Sequence, residues 1–555
     1  MKKIIYLLLL CSHSMLAQVA MESDTVEIKP NYRPEVMKVE KLYSKPLPET
    51  AYIEPPTFKY EIVPRQLDSL SPRMGTYKAI ALPKEKLSRL YGNFLKVGYG
   101  NFNTPFVQGS AMTLRNRDYT GGLNLNHYSN NSSNLSRRLA ESEIEGYGKI
   151  YRGDNVYSLD TRYSLRNYRF YGFDELYKDS FNKDQTKLGY STIDLAGTWQ
   201  NGLGSTDSSK MKYGGGLDYY TLTDKFKNKE QAFVLTANLS TNLSKCPLTV
   251  KLVLDANGLK GDKELNRTFV KLTPTYLMGG AKMKLLMGAS AVYLNSDADP
   301  VNPWRFIIFP KVHFSYFIDK YKLKIIAGMD GDWQKNTIRS LSLQNPFLVK
   351  NKTYDNTSFN QLFAGVSGSL GVHTFYVVQA NFKSVKSMAF FMTEASDSTT
   401  RTESNLNAFL LAYDDCKVSN LHIELNHHVA EKIKFQLSGN LYKYTLTSYA
   451  YAWNLPTADL RLHGGYSLGE KLVLGADVYA MNRRYGNRFN NDSQQTITAI
   501  KLPGFVDFNL NADYRYSKQV SAFLNINNLT AARYQRWYKY PVAGFNVLAG
   551  LTIHF

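Results

Sequence analysis

His313 and Ser315 are one residue apart, the spacing that puts two side chains on the same face of a β-strand, where an imidazole could act as base for a hydroxyl. The same alternation sends Val312, Phe314 and Tyr316 to the other face. The plainer reading is two polar residues on the watered side of a strand. His427 and His428 are adjacent, so in a strand they point to opposite faces and do not readily share one metal. The tract Asn295-Ser296-Asp297-Ala298-Asp299 offers oxygen ligands but lacks the glycine and distant glutamate of a calcium loop. Gly214-Gly215-Gly216 reads as a close-packing point inside a strand rather than a phosphate cradle. No catalytic residue, metal ligand or cofactor is assigned. Two basic-aromatic loops remain as candidate ligand loops. One holds Arg483, Arg484 and Arg488 around Tyr485 and Phe489; the other runs from Arg533 through Arg536 and Trp537 to Tyr540. Guanidinium and ring together could grip an anion, or could simply pack as rim supports.

These residues sit among segments with a strict period of two. Phe233, Leu235, Ala237 and Leu239 share one face, against Thr236, Asn238, Ser240 and Asn242. Val506, Phe508, Leu510, Ala512, Tyr514 and Tyr516 oppose Asp507, Asn509, Asn511, Asp513 and Arg515. Residues 248–257 repeat the pattern with Val253 as the exception. Successive side chains of a strand point to opposite faces, so each segment has one apolar and one polar side. A soluble sandwich alternates too, but its strands usually run about five or six residues. These segments read as ten to sixteen, the length a tilted membrane strand needs with its rims.

The connections alternate as well. Short turns fall near 152–155, 244–247, 279–280, 319–320, 371–373, 430–432, 467–471 and 517–520. Longer, more polar links fall near 129–140, 171–190, 296–303, 337–358, 393–408, 447–456 and 484–502. Short periplasmic turns and long outer loops are the pattern of an outer-membrane barrel. The expected fold is therefore all-β: a transmembrane antiparallel β-barrel of about 22 strands, running from near Phe94 to Phe555. Forty tyrosines suit interfacial aromatic girdles.

Ahead of the barrel, Met1-Lys2-Lys3, the apolar run Ile4–Leu10 and the small residue Ala17 form a signal peptide over 1–17, with lipidation at Cys11 as the alternative. Residues 18–91 are rich in proline and poor in periodic apolar positions, which predicts an extended periplasmic segment. The barrel domain is 92–555. No stretch of about 18 apolar residues follows the signal, so no helix is expected to span a membrane. The formal charge of +20 comes without a clustered basic motif, which argues against nucleic acid as a partner. Cys246 reads as part of a short periplasmic turn. Cys416 reads as preceding a strand that begins near the outer face. No disulfide between them is expected.

The last strand carries Val547, Ala549, Leu551, Ile553 and Phe555 on one face. It resembles the signal read by the barrel assembly machinery. Ile526-Asn527-Asn528-Leu529-Thr530, Tyr534 and Tyr540-Pro541-Val542-Ala543-Gly544 resemble the end of TonB-dependent receptors. The stretch 91–101 resembles the first strand of a TonB-receptor-like barrel family common in Bacteroidetes. The segment Asp24-Thr25-Val26-Glu27-Ile28 resembles a TonB box, a strand added to the energising protein TonB. The receptors place a folded plug between signal and barrel, whereas 18–91 is too short and too proline-rich for one. The resemblance implies a multi-pass barrel in the bacterial outer membrane, bounded by lipid and lipopolysaccharide, that is not an enzyme. It implies transport of a solute. The alternative is a scaffold subunit that docks a periplasmic or outer-membrane partner through 18–91.

Overall fold

The computed structural model describes residues 91–114, 116–132, 137–173, 184–202, 211–244, 246–261, 264–297, 304–318, 322–349, 354–393, 406–429, 432–489 and 496–555. The signal-peptide expectation, the proline-rich segment apart from Tyr91, and the TonB-box-like stretch lie outside the described residues.

The strands are β1 (Phe94–Gly100), β2 (Thr104–Met112), β3 (Tyr119–Ser132), β4 (Arg137–Arg152), β5 (Asn155–Arg169), β6 (Lys187–Asn201) and β7 (Lys212–Asp224). They continue with β8 (Lys229–Leu243), β9 (Cys246–Lys260), β10 (Leu265–Gly279), β11 (Met283–Ser296), β12 (Trp304–Ile318), β13 (Leu323–Gln334) and β14 (Thr357–Leu370). Then come β15 (Thr374–Thr393), β16 (Phe409–Val429), β17 (Ile433–Leu446), β18 (Ala458–Leu468) and β19 (Leu472–Met481). A two-stranded hairpin, β20 (Arg484–Phe489) and β21 (Ile497–Leu502), stands apart from the wall. The wall resumes with β22 (Phe505–Arg515), β23 (Val520–Asn527) and β26 (Asn546–His554), the small pair β24 (Gln535–Trp537) and β25 (Tyr540–Pro541) lying between the last two.

Each wall strand pairs antiparallel with the next, and β26 pairs with β1 from Phe94↔His554 to Gly100↔Leu548. The sheet thus closes as a 22-stranded barrel, the strand number that the alternation predicted. Closure leaves no edge with unpaired backbone groups, which bilayer hydrocarbon could not satisfy. Strand length is less uniform than expected: the wall runs from seven residues in β1 to 21 in β16. The seam is accordingly short, seven residue pairs where β8 and β9 share fifteen.

The outward face is the apolar one. Leu159, Phe233, Leu235, Val506, Phe508, Leu510, Leu551 and Ile553 are all exposed on the barrel wall. The inward face is polar, with Arg162 2.7 Å from Glu145 and Lys271 2.5 Å from Asp332. Such water-facing pairs contribute little stability and mainly keep the lumen wet. At the end of the barrel that holds both Phe94 and His554, turns are tight; Gly153 takes φ +56° between β4 and β5, where a Cβ would be strained. By the same rule that end is periplasmic and the other is outer.

Three expectations need correction. Cys416 does not precede a strand; it lies within β16, buried beside Val385 and Val418. Cys246 is the first residue of β9 rather than part of the turn, and both cysteines are free thiols. The outer links are not simply polar. Phe170, Ile338, Leu341, Phe347, Leu348, Val349, Tyr354, Leu406, Ala408 and Tyr540 all come from connections at the outer end. With the strand ends Leu188, Tyr190, Leu222, Leu259 and Phe409 they form the largest buried apolar cluster among the described residues. Wall strands of a membrane barrel turn their apolar side to lipid, so the dry core of this protein is made by its loops.

Candidate functional site

The connection between β13 and β14 builds that core. Thr337 caps a short helix, α1 (Ile338–Gln344): its hydroxyl accepts from the Ser340 N–H, and Ser340 answers with its own hydroxyl at the Thr337 N–H. Asn345, extended before Pro346, ends it. One face, Ile338, Leu341 and Ser342, is buried. The roots of the connection are polar. Glu230 on β8, fully buried, accepts from the Ile338 N–H at 2.6 Å and from the Tyr220 hydroxyl at 2.7 Å. Arg267 on β10 donates to the carbonyls of Asn336 and Tyr354 and to Asn257 and Asn356. Lys335 reaches Asp255 at 2.5 Å, and burial pulls its ammonium pKa down against the pull of that carboxylate.

The helix then meets the far wall. Arg339 pairs with Asp194 on β6 at 2.6 Å, and Arg166 on β5 donates to the Ser342 hydroxyl. A connection that leaves between β13 and β14 and touches β5 and β6 must cross the lumen. The connection between β23 and β26 arrives from another side. Tyr540 stacks on Phe347 with centroids 3.9 Å apart, meets Tyr171 edge-on at 4.9 Å, and donates its hydroxyl to the carbonyl of Asn407. Tyr171 donates to the carbonyl of Pro541, and the main chain bridges Leu348 to Phe409. Links from four sectors of the wall therefore converge on Phe347 and Tyr540 and make a cap over the outer end.

Next to the cap, and sharing Trp537 with it, lies a cavity of 730 Å³ against β17, β18 and β19. Its wall supplies Arg461, His463, Asp477 and Tyr479; its roof supplies Arg484, Tyr534, Arg536 and Trp537. His463 Nδ1 is 2.6 Å from Asp477 Oδ1, and the Arg461 guanidinium lies over the Tyr479 ring at 5.3 Å. Phe505 and Tyr534 stack in parallel at 3.6 Å, with the Tyr534 hydroxyl donating to Asp507. Arg484 is 3% exposed and donates to the carbonyls of Arg536 and Gln535, and no carboxylate among the described residues pairs with it; burial holds its pKa below the ordinary guanidinium value. Three arginines against one aspartate among its lining residues give the cavity a positive field. It is suited to an anionic solute with a planar face.

The two basic-aromatic loops singled out in the sequence thus meet, but only in part. Arg484, Arg536 and Trp537 line the cavity, while Arg483, Arg488 and Arg533 are exposed away from it. Arg484 supports the roof rather than reaching for a ligand. Trp537 also packs on Phe391 and Phe409, joining cavity to cap. His313 faces the lumen 3.4 Å from Asp330, and no hydrogen bond joins it to Ser315 among the described residues. His427 bonds Thr374 at 2.7 Å, and His428 is exposed. No group of three His, Cys, Asp or Glu side chains that could hold a metal occurs among the described residues. Asp297 accepts from the Asn266 N–H; Ala298 and Asp299 lie outside the described residues. The wall residues Arg461, His463, Asp477 and Tyr479 were missed, although lumen parity and the run of aromatics toward the end of the chain both pointed to them.

No protein-family model matches the chain, and no curated protein matches it. Solved structures match its fold. The pyoverdine outer membrane receptor FpvA from Pseudomonas aeruginosa PAO1 aligns over 85% of this chain and 79% of its own, with 11% identity and a TM-score of 0.64. The ferric-catecholate import receptor Fiu from E. coli K12 aligns over 84% and 82%, at 9% identity and 0.62. The FrpB iron transporter from Neisseria meningitidis aligns over 84% and 82%, at 10% identity and 0.65. At such identity the likeness is one of fold.

Proposed function

We propose that this chain is an outer-membrane transport barrel that admits an anionic solute through a mouth its own outer loops hold shut. The observation that carries the reading is the pairing of the Phe347–Tyr540 cap with a positively charged lumenal cavity joined to it through Trp537 and Phe409. A barrel that served only as a scaffold has no need of either. The fold it shares with receptors and an iron transporter supports the same class. On this reading lipid and lipopolysaccharide surround the wall, the barrel assembly machinery reads the face from Val547 to Phe555, and residues 24–28 engage TonB. The descent is from a Bacteroidetes-type lineage of TonB-receptor-like barrels without a full plug.

Planar-bilayer conductance of the purified chain tests this. The full chain should conduct little. Removing residues 18–85 while loosening the cap with Phe347→Ala and Tyr540→Ala should give large, stable openings that an anionic aromatic solute blocks. If no variant conducts, and truncation instead strips away proteins that co-purify with the full chain, the scaffold reading takes its place.

A further inference from the structure

Six neighbouring strands, β4 to β9, rise beyond the apolar band at the outer end. On β5 the outward positions run Tyr157, Leu159 and Tyr163, all exposed, then Leu165, Asn167 and Arg169. On β6 they run Trp199, Leu195 and Ile193, then Ser191, Gly189 and Lys187. At about 3.3 Å per residue, Arg169 lies about 13 Å along β5 past Leu165, and Lys187 about 20 Å along β6 past Ile193. That places them at head-group level, still facing lipid.

Their register is the unusual feature. Arg169 stands directly opposite Lys187, and Lys229 directly opposite Lys260. Arg138 follows the last β4–β5 pair, Leu139↔Tyr168, so the ladder carries it toward Arg169. Like charges facing each other across a ladder destabilise it. Among the described residues, Asp184 takes Lys187 at 2.6 Å. Arg169 Nε is buried with no hydrogen-bond partner among the described residues. Arg138, Arg169 and Lys187 share an outward recess of 590 Å³, with Leu165 beside them.

We propose that this rim is a binding site for a phosphorylated glycolipid of the outer leaflet, with Arg138, Arg169 and Lys187 holding its phosphates and the apolar band below receiving its acyl chains. Guanidinium groups pair with phosphate in a forked geometry, and an anionic ligand relieves the facing like charges. A lipid is the occupant because the recess opens outward and continues into the lipid-facing band. The proposal rests on the outer-membrane reading above.

Native mass spectrometry of the purified full chain, offered phosphorylated lipid A or its dephosphorylated form in detergent, tests it. The unaltered chain should retain the phosphorylated lipid preferentially. Arg138→Gln with Arg169→Gln and Lys187→Gln should lower retention about tenfold or more. Arg152→Gln, on the same face at the opposite end of β4, should change nothing. Arg169→Gln alone should give a smaller loss, which keeps the test alive if the triple variant does not form a heat-modifiable barrel. Equal retention of both lipids, or full retention by a folded triple variant, overturns the proposal. Cell fractionation is separate: a chain found outside the outer membrane defeats the transport reading, whatever the lipid measurement shows.

Discussion

Phe347 and Tyr540 stack 3.9 Å apart, and they belong to connections that leave the barrel on different sides. Each ring is almost fully buried, so neither connection has a dry core without the other. Replacing Phe347 with Ala removes the stack and leaves a cavity, at a cost of about 3–5 kcal/mol to the cap. The wall, held by its own ladder, should be spared. The expected result is unchanged heat-modifiability together with protease cleavage of the outer loops on intact cells. Cleavage no faster than in the parent would show that the cap does not depend on this contact.

Alkaline pH should loosen the same hub. Burial raises the phenol pKa of both Tyr540 and Tyr171. A phenol whose folded pKa lies above its unfolded value of about 10 stabilises the closed cap below that value, and the contribution is lost as pH rises past it. Ionisation would also delete the donor bonds to Asn407 and Pro541. Loop proteolysis should therefore accelerate above about pH 10, and Tyr540→Phe with Tyr171→Phe should flatten that rise. A profile identical in parent and variant would exclude these two phenols.

The seam offers a steric test. Gly98 pairs with Gly550, and the buried ring of Phe523 fills the space over both. A Cβ on Gly550 would collide with the Val97 carbonyl oxygen, backbone that cannot swing aside. Gly550→Val should block closure of β26 on β1, leaving chain that does not shift mobility on heating. Gly148→Ala, where a Cβ would meet nothing, should assemble normally. Normal assembly of Gly550→Val would mean the seam pairs in another register.

The outward face of β26 tests the assembly signal. Leu551 and Ile553 are exposed to lipid, opposite Val97 and Leu95 of β1. Deleting Phe555 together with Ile553→Asp puts a charge on that face, at a cost of up to a few kcal/mol. Secretion should persist while the amount of inserted barrel falls. Full insertion of this double variant would separate the phased face from assembly.

The thiols report strand placement. Cys246 begins β9 at the periplasmic end, and Cys416 is buried high in β16. A disulfide needs Cα atoms within about 7 Å, which opposite rims cannot provide. Reducing and non-reducing gels should coincide, and a maleimide should label Cys246 far faster than Cys416 in the folded protein. A Cys246–Cys416 cross-link in a single chain would contradict the strand order.

Alternation by itself determined the wall. Lipid on one side and water on the other force every spanning strand to declare its two faces in adjacent residues, so Phe508 against Asn509 is a local statement about a global barrel. Turn and loop lengths gave the strand number for the same reason. The cap and the cavity are different. Phe347, Tyr171 and Tyr540 are far apart in the chain and sit in links with no period, so nothing nearby in sequence says that they touch. The same holds for Arg484, whose charge reads as a ligand-seeking loop residue until the carbonyls of Gln535 and Arg536 are found against it. Only the closing of the ring of strands brings those links together, because it fixes which loop ends face one another across the lumen.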